Sequence, residues 1–369
     1  MSSWIKLLGL VFSLVPLCLA QASEHPLRVL LVPGHDPVNS GAYYSGTKEA
    51  DLNLKLGYYL FNYLNLNPDF KVFITRDFNT GEYNKYFTDY FDSASSSVQL
   101  FRQETGKKYS DDLQSGRIAA IVSAPHAVAA DDVAYNLFAI NKWANDNQID
   151  LVLHLHFNDY PRSNQGAPGK YAGVTIYVPE RQMINAASSR VIADKIFRQL
   201  NQFISVSNYK PERVGVVPDQ DLIAIGVNNS RKGASVLVEY GYIYEPAIIN
   251  GETRSVFLEE MAYQTYRGLK LAVGSNVGGP KTNLLPHYFA RDLKRNNGPE
   301  LEALFLQKAL LVEKVYPPLD KNLNECPISG LFGPCTELAV TAFQKKYNIS
   351  ATGYVGPQTR AKLNQLYGK

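Results

Sequence analysis

The chain has 369 residues, of which 45% are hydrophobic and 19% are charged, and its formal net charge is +3. This composition is typical of a globular protein and excludes a disordered chain, and the length allows one large and one small domain. The charge is too small to indicate a nucleic-acid partner, and none is expected.

The first residues have the pattern of a signal peptide. Lys6 supplies a positive charge, an apolar stretch follows over residues 7–20, and cleavage is expected after Ala22 in Ala-Gln-Ala. Pro16 interrupts this stretch, which is shorter than the roughly 20 residues that span a bilayer. We expect an exported protein, located in a periplasm or in the cell wall or extracellular space, with no stable membrane insertion after cleavage. A retained membrane anchor is the alternative.

Short apolar segments rich in β-branched residues then alternate with helical patterns. Because the short segments are apolar on both faces, they predict parallel strands covered by helices on either side. The predicted strands are 28–32, 71–75, 150–156, 174–178 and 235–239, and the predicted helices are 50–64, 138–147, 186–203 and 255–273. We expect an α/β fold with a mostly parallel twisted sheet and helices on both faces.

A long segment, residues 78–132, follows the second predicted strand. Loops longer than about 12–15 residues are uncommon unless they are functional or disordered, and the aromatic residues in this one argue against disorder. These are Tyr83, Tyr86, Phe87, Tyr90, Phe91 and Phe101. The segment leaves the carboxyl edge of the sheet, so we expect it to form a wall or lid beside a cleft there. The alternative is a satellite hydrophobic cluster on the far side of the sheet.

Ionisable residues lie at the carboxyl ends of three predicted strands. His35 follows the first strand, His156 ends DLVLHLH, and Glu239 ends SVLVE. Ligands of open α/β sheets bind at this edge, so these side chains can converge. Glu49 joins them from the first turn of the helix after the first strand. Each residue alone is more commonly structural, but two histidines and one carboxylate together form a recognised catalytic zinc set.

Four segments resemble the motifs of the zinc-dependent N-acetylmuramoyl-L-alanine amidases. In chain order they are VPGHDP (32–37), TKEADLNL (47–54), LHFND (155–159) and VLVEYGYIYEP (236–246). The resemblance covers most of residues 27–273. It implies that His35, Glu49 and His156 bind one zinc ion and that Glu239 is the catalytic acid/base.

The sequence departs from the family pattern at Val32, His154 and Phe157, none of which removes a ligand. Strand alternation places His154, His156 and Asn158 on one face. Since the resemblance makes His156 the ligand, we expect His154 to form a hydrogen bond near the metal rather than to bind it. His154 and Asn158 are therefore candidates for hydrogen bonds to the metal ligands or for contact with the substrate. The remaining histidines are interpreted as structural: His25, His126 and His287.

Residues 274–298 are rich in Gly and Pro and predict a linker. Residues 299–369 resemble the three-helix peptidoglycan-binding module, on FGPCTELAVTAFQKKY and ATGYVGPQTRAKL. The alternative is a helical cap packed on the main domain, which the linker disfavours. Cys18 leaves with the signal peptide, and the pair that remains, Cys326 and Cys335, predicts a disulfide rather than two buried thiols.

Both resemblances imply peptidoglycan as the partner. The implied reaction is zinc-dependent hydrolysis of the amide bond between N-acetylmuramic acid and L-alanine, with Glu239 transferring the proton. The alternatives are a zinc carboxypeptidase acting on the stem peptide, a non-catalytic wall-binding protein on an amidase fold, and a hydrolase directed at another cell. The sequence does not indicate the oligomeric state or the type of wall.

Overall fold

The computed structural model describes residues 25–368 except 127, 161, 163, 227–229, 231–232 and 297. The predicted signal peptide, residues 1–22, lies outside the described residues. In the part of the chain that is described, no helix has the length and apolar character needed to cross a membrane.

The strands are β1 Leu27–Pro33, β2 Tyr43–Tyr44, β3 Thr47–Lys48, β4 Phe70–Ile74, β5 Leu151–Asn158, β6 Thr175–Pro179, β7 Val216–Asp219 and β8 Ala234–Tyr242. Six of them form one sheet in the order β4-β1-β5-β8-β6-β7, and β2 pairs with β3. All five predicted strands form, and the mostly parallel α/β sheet is confirmed. One direction was wrong, since β6 runs antiparallel to β8. β7 was not predicted, because VVPD is short and contains a proline.

The helices are α1 Glu49–Asn65, α2 Lys85–Ser93, α3 Ser95–Gln114, α4 Asp131–Asp146, α5 Ala186–Leu200, α6 Pro246–Ile249, α7 Gly251–Ala272, α8 Leu301–Val312, α9 Pro334–Lys346 and α10 Pro357–Tyr367. On one face of the sheet lie α1, α5 and α7. The buried residues of α1 include Leu52, Leu56, Leu60 and Leu64, which recur every four positions and pack in one core with the β5 residues Leu151, Leu153 and Leu155.

The other face of the sheet is covered by α2, α3 and α4. Two of these helices, α2 and α3, lie inside the 78–132 insertion, for which the sequence predicted a long loop without helices. Phe87 of α2 and Trp143 of α4 pack with ring centroids 4.9 Å apart, in a core that also holds Leu30 and Val152. Val152 lies on the same side of β5 as His154 and His156. The insertion therefore covers the face of the sheet that carries the histidines.

Of the three C-terminal helices, α8 packs against both α7 and α9. Lys308 of α8 forms a buried ion pair with Glu260 of α7, with the Nζ and Oε1 atoms 3.2 Å apart. The predicted linker also contributes buried residues to the shared core: Leu284, Leu285, Phe289 and Leu293. The predicted Cys326–Cys335 disulfide is present, and it joins the loop before α9 to the first turn of that helix.

Candidate metal centre

Three of the predicted site residues meet at the carboxyl edge of the sheet. His35, Glu49 and His156 each offer one ligand atom, and these atoms all lie within 4.8 Å of one another. The Glu49 carboxylate lies between the two imidazoles. Its Oε2 is 3.1 Å from His35 Nε2, and its Oε1 is 3.0 Å from His156 Nδ1.

The backbone can bring these groups together because two glycines lie against them. A Cβ atom on Gly34 would be 2.2 Å from Cε1 of His156, and one on Gly41 would be 2.5 Å from Oε2 of Glu49. Gly41 also has a φ of +70°, which disfavours any side chain. The sequence around the two histidines and Glu49 thus allows a close approach that larger residues would block.

Glu49 is held by three further hydrogen bonds. Oε2 accepts from Ala42 N (3.0 Å), and Oε1 accepts from Phe157 N (3.2 Å) and from Asn53 Nδ2 (3.3 Å). The buried Asn53 also donates to the carbonyl oxygen of Gly34 at 3.0 Å. We did not predict a role for Asn53. Its position four residues after Glu49, on the same face of α1, was the available signal.

The charges of the three groups are coupled through Glu49. Burial alone would raise the pKa of Glu49, but hydrogen bonds from His156 and His35 hold it well below its usual range. Burial opposes a raised pKa for His35, yet the contacts with Glu49 raise it. Burial lowers the pKa of His156. The ionised Glu49 and the neutral His156 are in the protonation states that a metal ion requires of its ligands, whereas His35 would release its proton when it binds one.

Glu239 lies next to this group on β8, opposite His156 in the strand register. Its Oε2 atom is buried and has no hydrogen-bond partner among the described residues. Burial, and then the negative charges of Glu49 and Glu212, raise the pKa of Glu239 well above the ordinary value. A carboxyl group with a raised pKa is suited to accept and return a proton near neutral pH.

His154 is fully buried one pleat before His156, and their ring centroids are 6.4 Å apart. Burial, and then the neighbouring His156, lower the pKa of His154 to about 3. The backbone of Ala224 is close enough to act on this pKa, but it does not have hydrogen-bond geometry. Neither ring nitrogen of His154 has a hydrogen-bond partner among the described residues. The hydrogen bond near the metal that we expected for His154 is therefore not formed with any of these residues.

Asn158, at the end of β5, faces a buried carboxylate that the sequence did not reveal. Its Nδ2 donates to Glu212 Oε1 at 2.9 Å. The Glu212 carboxylate also accepts hydrogen bonds from Tyr177 OH (2.8 Å), Tyr242 OH (3.0 Å) and Ser207 Oγ. Glu212 lies in a single 3₁₀ turn, Lys210–Glu212, and no local pattern marks it.

A cavity of about 900 Å³ opens beside the candidate metal centre. Its lining includes His35, His154, His156 and Glu239 from the sheet edge, together with residues 122–126 and 128–130 of the insertion. His126, predicted to be structural, is one of these residues, and its Nε2 is 2.8 Å from the buried Oδ2 of Asp219. The insertion thus forms one wall of the cleft that contains the predicted site.

Comparisons with known proteins match two separate parts of the chain, the sheet domain and the C-terminal helices. A family model described as N-acetylmuramoyl-L-alanine amidase matches residues 29–270, and a model for a peptidoglycan-binding domain matches residues 305–363. A Bacillus licheniformis protein named "Probable N-acetylmuramoyl-L-alanine amidase" is 29% identical over 147 residues, or 39% of this chain and 40% of that protein. This chain therefore spans about two fifths of that relative's length.

Solved structures of bacterial amidases are also similar to this chain. The CwlD amidase from Clostridioides difficile, in complex with the GerS lipoprotein, is 17% identical over 67% of this chain and 98% of its own, with a TM-score of 0.42. The N-acetylmuramyl-L-alanine amidase Ami1 from Mycobacterium smegmatis is 17% identical over 68% of this chain and 98% of its own, with a TM-score of 0.41.

The match over residues 29–270 covers more than half of the chain and contains all four sequence motifs. It confirms the resemblance inferred from those motifs: the chain belongs to the N-acetylmuramoyl-L-alanine amidase family.

Proposed function

We propose that this protein is a zinc-dependent hydrolase that cleaves the amide bond between N-acetylmuramic acid and L-alanine in peptidoglycan. The observation that carries the proposal is the convergence of His35, Glu49 and His156 within 4.8 Å, with Glu239 beside them. Family membership supports the choice of bond and substrate.

The three convergent residues fit a zinc ion in their chemistry. Two imidazole nitrogens and one carboxylate oxygen form a donor set that zinc accepts in catalytic sites, where the fourth position stays open for water or substrate. The adjoining cavity leaves that side of the group accessible. Asn53 and the backbone amides of Ala42 and Phe157 orient the carboxylate, as the hydrogen-bonded surroundings of metal ligands commonly do.

Zinc bound there would supply Lewis-acid polarisation of the scissile carbonyl and a lowered pKa for the attacking water. Glu239 would accept the proton of that water at its buried Oε2 atom. The same carboxyl would then donate the proton to the nitrogen of L-alanine as the amide bond breaks. The raised pKa of Glu239 favours the second step, because the protonated form is held until the leaving amine can take the proton.

We infer that the C-terminal helices hold the protein on the wall and that the protein acts outside the cytoplasm. The peptidoglycan-binding match over residues 305–363 supports the first inference, and the signal-peptide pattern supports the second. Binding to an insoluble polymer would raise the local concentration of cleavable bonds without changing the chemistry.

Mass spectrometry of wall fragments digested with the mature protein tests this function. We expect released stem peptides that begin with a free L-alanine amine, glycans that keep the lactyl carboxylate, and loss of both products with a chelator. A Glu239→Gln variant should keep the metal and lose turnover by about 10²–10⁴-fold. Release of terminal D-amino acids alone would instead indicate a carboxypeptidase. A zinc-loaded protein that releases nothing from any wall tested would indicate a binding protein.

A further inference from the structure

The unsatisfied imidazole of His154 points to a ligand. His154 is 1% exposed, and both of its ring nitrogens lack partners among the described residues. A buried polar group without a hydrogen bond is costly, and a native protein keeps one mainly where something else completes the bond. Apolar residues fill the neighbouring positions of this row across the sheet, Val32 and Leu237, so an apolar side chain would have been accommodated here as well.

His154 lines the 900 Å³ cavity, which indicates where its partner would come from. Much of the cavity wall is formed by small apolar side chains of the insertion and of α4: Val122, Ala124, Val128, Ala129, Ala130 and Val133. Such a wall suits short aliphatic groups such as the methyl group of alanine, and the polar lining residues Asn39, Ser123 and Asn136 can meet a peptide main chain. An extended tripeptide, about 10 Å long, fits a space of this volume.

The candidate metal centre divides this cavity from a second, smaller cleft. The second cleft, of about 320 Å³, shares His35, His156 and Glu239 with the cavity and continues to Asn158 and Asp159. Tyr160 follows Asp159 in the chain and lines a separate pocket with Tyr171, whose ring centroid is 4.7 Å from its own. Aromatic faces with polar tips suit sugar rings. The two sides of the metal centre therefore differ in chemistry, as do the two halves of the substrate.

We propose that the insertion-walled cavity is the subsite for the stem peptide, and that His154 forms a hydrogen bond with the main chain of that peptide. The inference rests on the proposed function, since it assigns the two halves of that substrate. The peptide ends after a few residues and can enter a cavity, whereas the glycan continues on both sides of its muramic acid and needs an open cleft. His154 is thus a binding residue, and Glu239 remains the group that moves the proton.

Calorimetry with the two reaction products on the zinc-loaded full chain separates the subsites. The probes are the tripeptide L-Ala-γ-D-Glu-X, made with diaminopimelate and with L-lysine as X because the type of wall is not indicated, and the disaccharide of N-acetylglucosamine and N-acetylmuramic acid. His154→Leu should weaken tripeptide binding by about tenfold, the cost of leaving a buried peptide group unpaired, and leave the disaccharide Kd unchanged. His154→Asn, which keeps a donor, should recover part of the loss.

Thermal unfolding distinguishes a binding role of His154 from a structural role, because the two roles predict different changes in Tm. Because His154→Leu removes an unsatisfied polar group, its Tm should equal or exceed that of the wild type, whereas a His154 that holds the fold together predicts a lower Tm. Ala129→Phe, which places a larger side chain on the insertion side of the cavity, should also weaken tripeptide binding. The matched control is His287→Asn near the C-terminal helices, which should change neither Kd.

Two results would overturn the inference: an unchanged tripeptide Kd in both His154→Leu and Ala129→Phe, or a selective loss of disaccharide binding. A wild-type protein that binds neither product tightly enough to measure would also count against it, even if it cleaves the wall. Failure of the proposed function is distinguishable, because it would appear as selective tripeptide binding without release of any stem peptide from the wall.

Discussion

At the scale of single residues, the site depends on one carboxylate that serves two histidines. Glu49 contacts His35 through one oxygen and His156 through the other, and it also accepts hydrogen bonds from two backbone amides and from the Asn53 side chain. Removal of either histidine leaves a buried, ionised carboxylate with fewer partners, which carries a free-energy cost of its own. Substitutions at this site should therefore be tested for metal content and folding separately.

The first prediction concerns His156→Ala. We expect the variant to remain folded and to lose its metal, with an affinity reduced by at least about 100-fold, since changes that only disturb the orientation of a ligand already cost about 10–100-fold. Metal analysis after dialysis against a weak chelator measures this, with His287→Ala as the control that keeps one equivalent. A full equivalent of zinc in His156→Ala would contradict the ligand assignment, and His154, 6.4 Å away, would be the substitute to examine.

A second prediction uses the buried charge of Glu212. Burial, Glu49 and Glu212 all raise the pKa of Glu239, in that order. Glu212→Gln removes one of the two negative charges, so the pKa of Glu239 should fall. Because the base must be ionised to accept a proton, the acidic limb of the kcat/KM profile should move to lower pH. Tyr177→Phe removes a hydrogen bond from Glu212 but keeps its charge, and should leave the limb in place. A shift of the acidic limb of the kcat/KM profile to higher pH in Glu212→Gln would refute the electrostatic argument.

At the scale of elements, strand ends were predictable and strand directions were not. His35, His156 and Glu239 could be placed together because the carboxyl ends of parallel strands meet at one edge. The segment 174–178 was recognised as a strand, but an apolar run has the same pattern in either direction, and β6 is antiparallel to β8. Helix α3 was not predicted from the sequence, because only three of its 20 residues are buried, Val98, Phe101 and Asp112. Its apolar stripe is therefore short and interrupted.

The insertion gives the third prediction, which concerns its place in the fold. Phe87 of α2 is 2% exposed and packs on Trp143 of α4. Phe87→Ala should lower the free energy of unfolding by about 3–5 kcal/mol, the usual cost of a large buried cavity. Leu100→Ala on α3, where the side chain is 55% exposed, should change it by less than about 0.5 kcal/mol. Urea titrations compare the two variants. Equal, small effects would mean that the insertion is a separate appendage that the sheet does not need.

At the scale of the whole molecule, Glu260 connects the C-terminal helices to the sheet domain. Besides its ion pair with Lys308 of α8, it accepts hydrogen bonds from Gln264 Nε2 (2.9 Å) and from the backbone N of Asn283 (3.0 Å). The same Lys308 Nζ lies 4.6 Å from the ring centroid of Phe203. One buried carboxylate therefore joins α7, the predicted linker and α8, and the C-terminal helices and the sheet domain are expected to unfold together.

The last prediction tests that coupling. Lys308→Met leaves Glu260 buried without its counter-ion, which should lower stability by about 3–5 kcal/mol, as breaking a buried ion pair typically does. The double variant Lys308→Met/Glu260→Gln removes the charge that was left behind and should recover most of the loss. The exposed pair Lys85–Asp89 provides the control, since Lys85→Met removes a partner that solvent replaces and should cost less than about 1 kcal/mol.

If the C-terminal helices and the sheet domain are coupled, calorimetry should show a single unfolding transition that moves as a whole. Activity at temperatures near this transition should then fall on soluble fragments and on insoluble wall alike. Two transitions, with only one moved by Lys308→Met, would show that the C-terminal helices are an independent anchor, and their deletion would then spare the cleavage of soluble fragments.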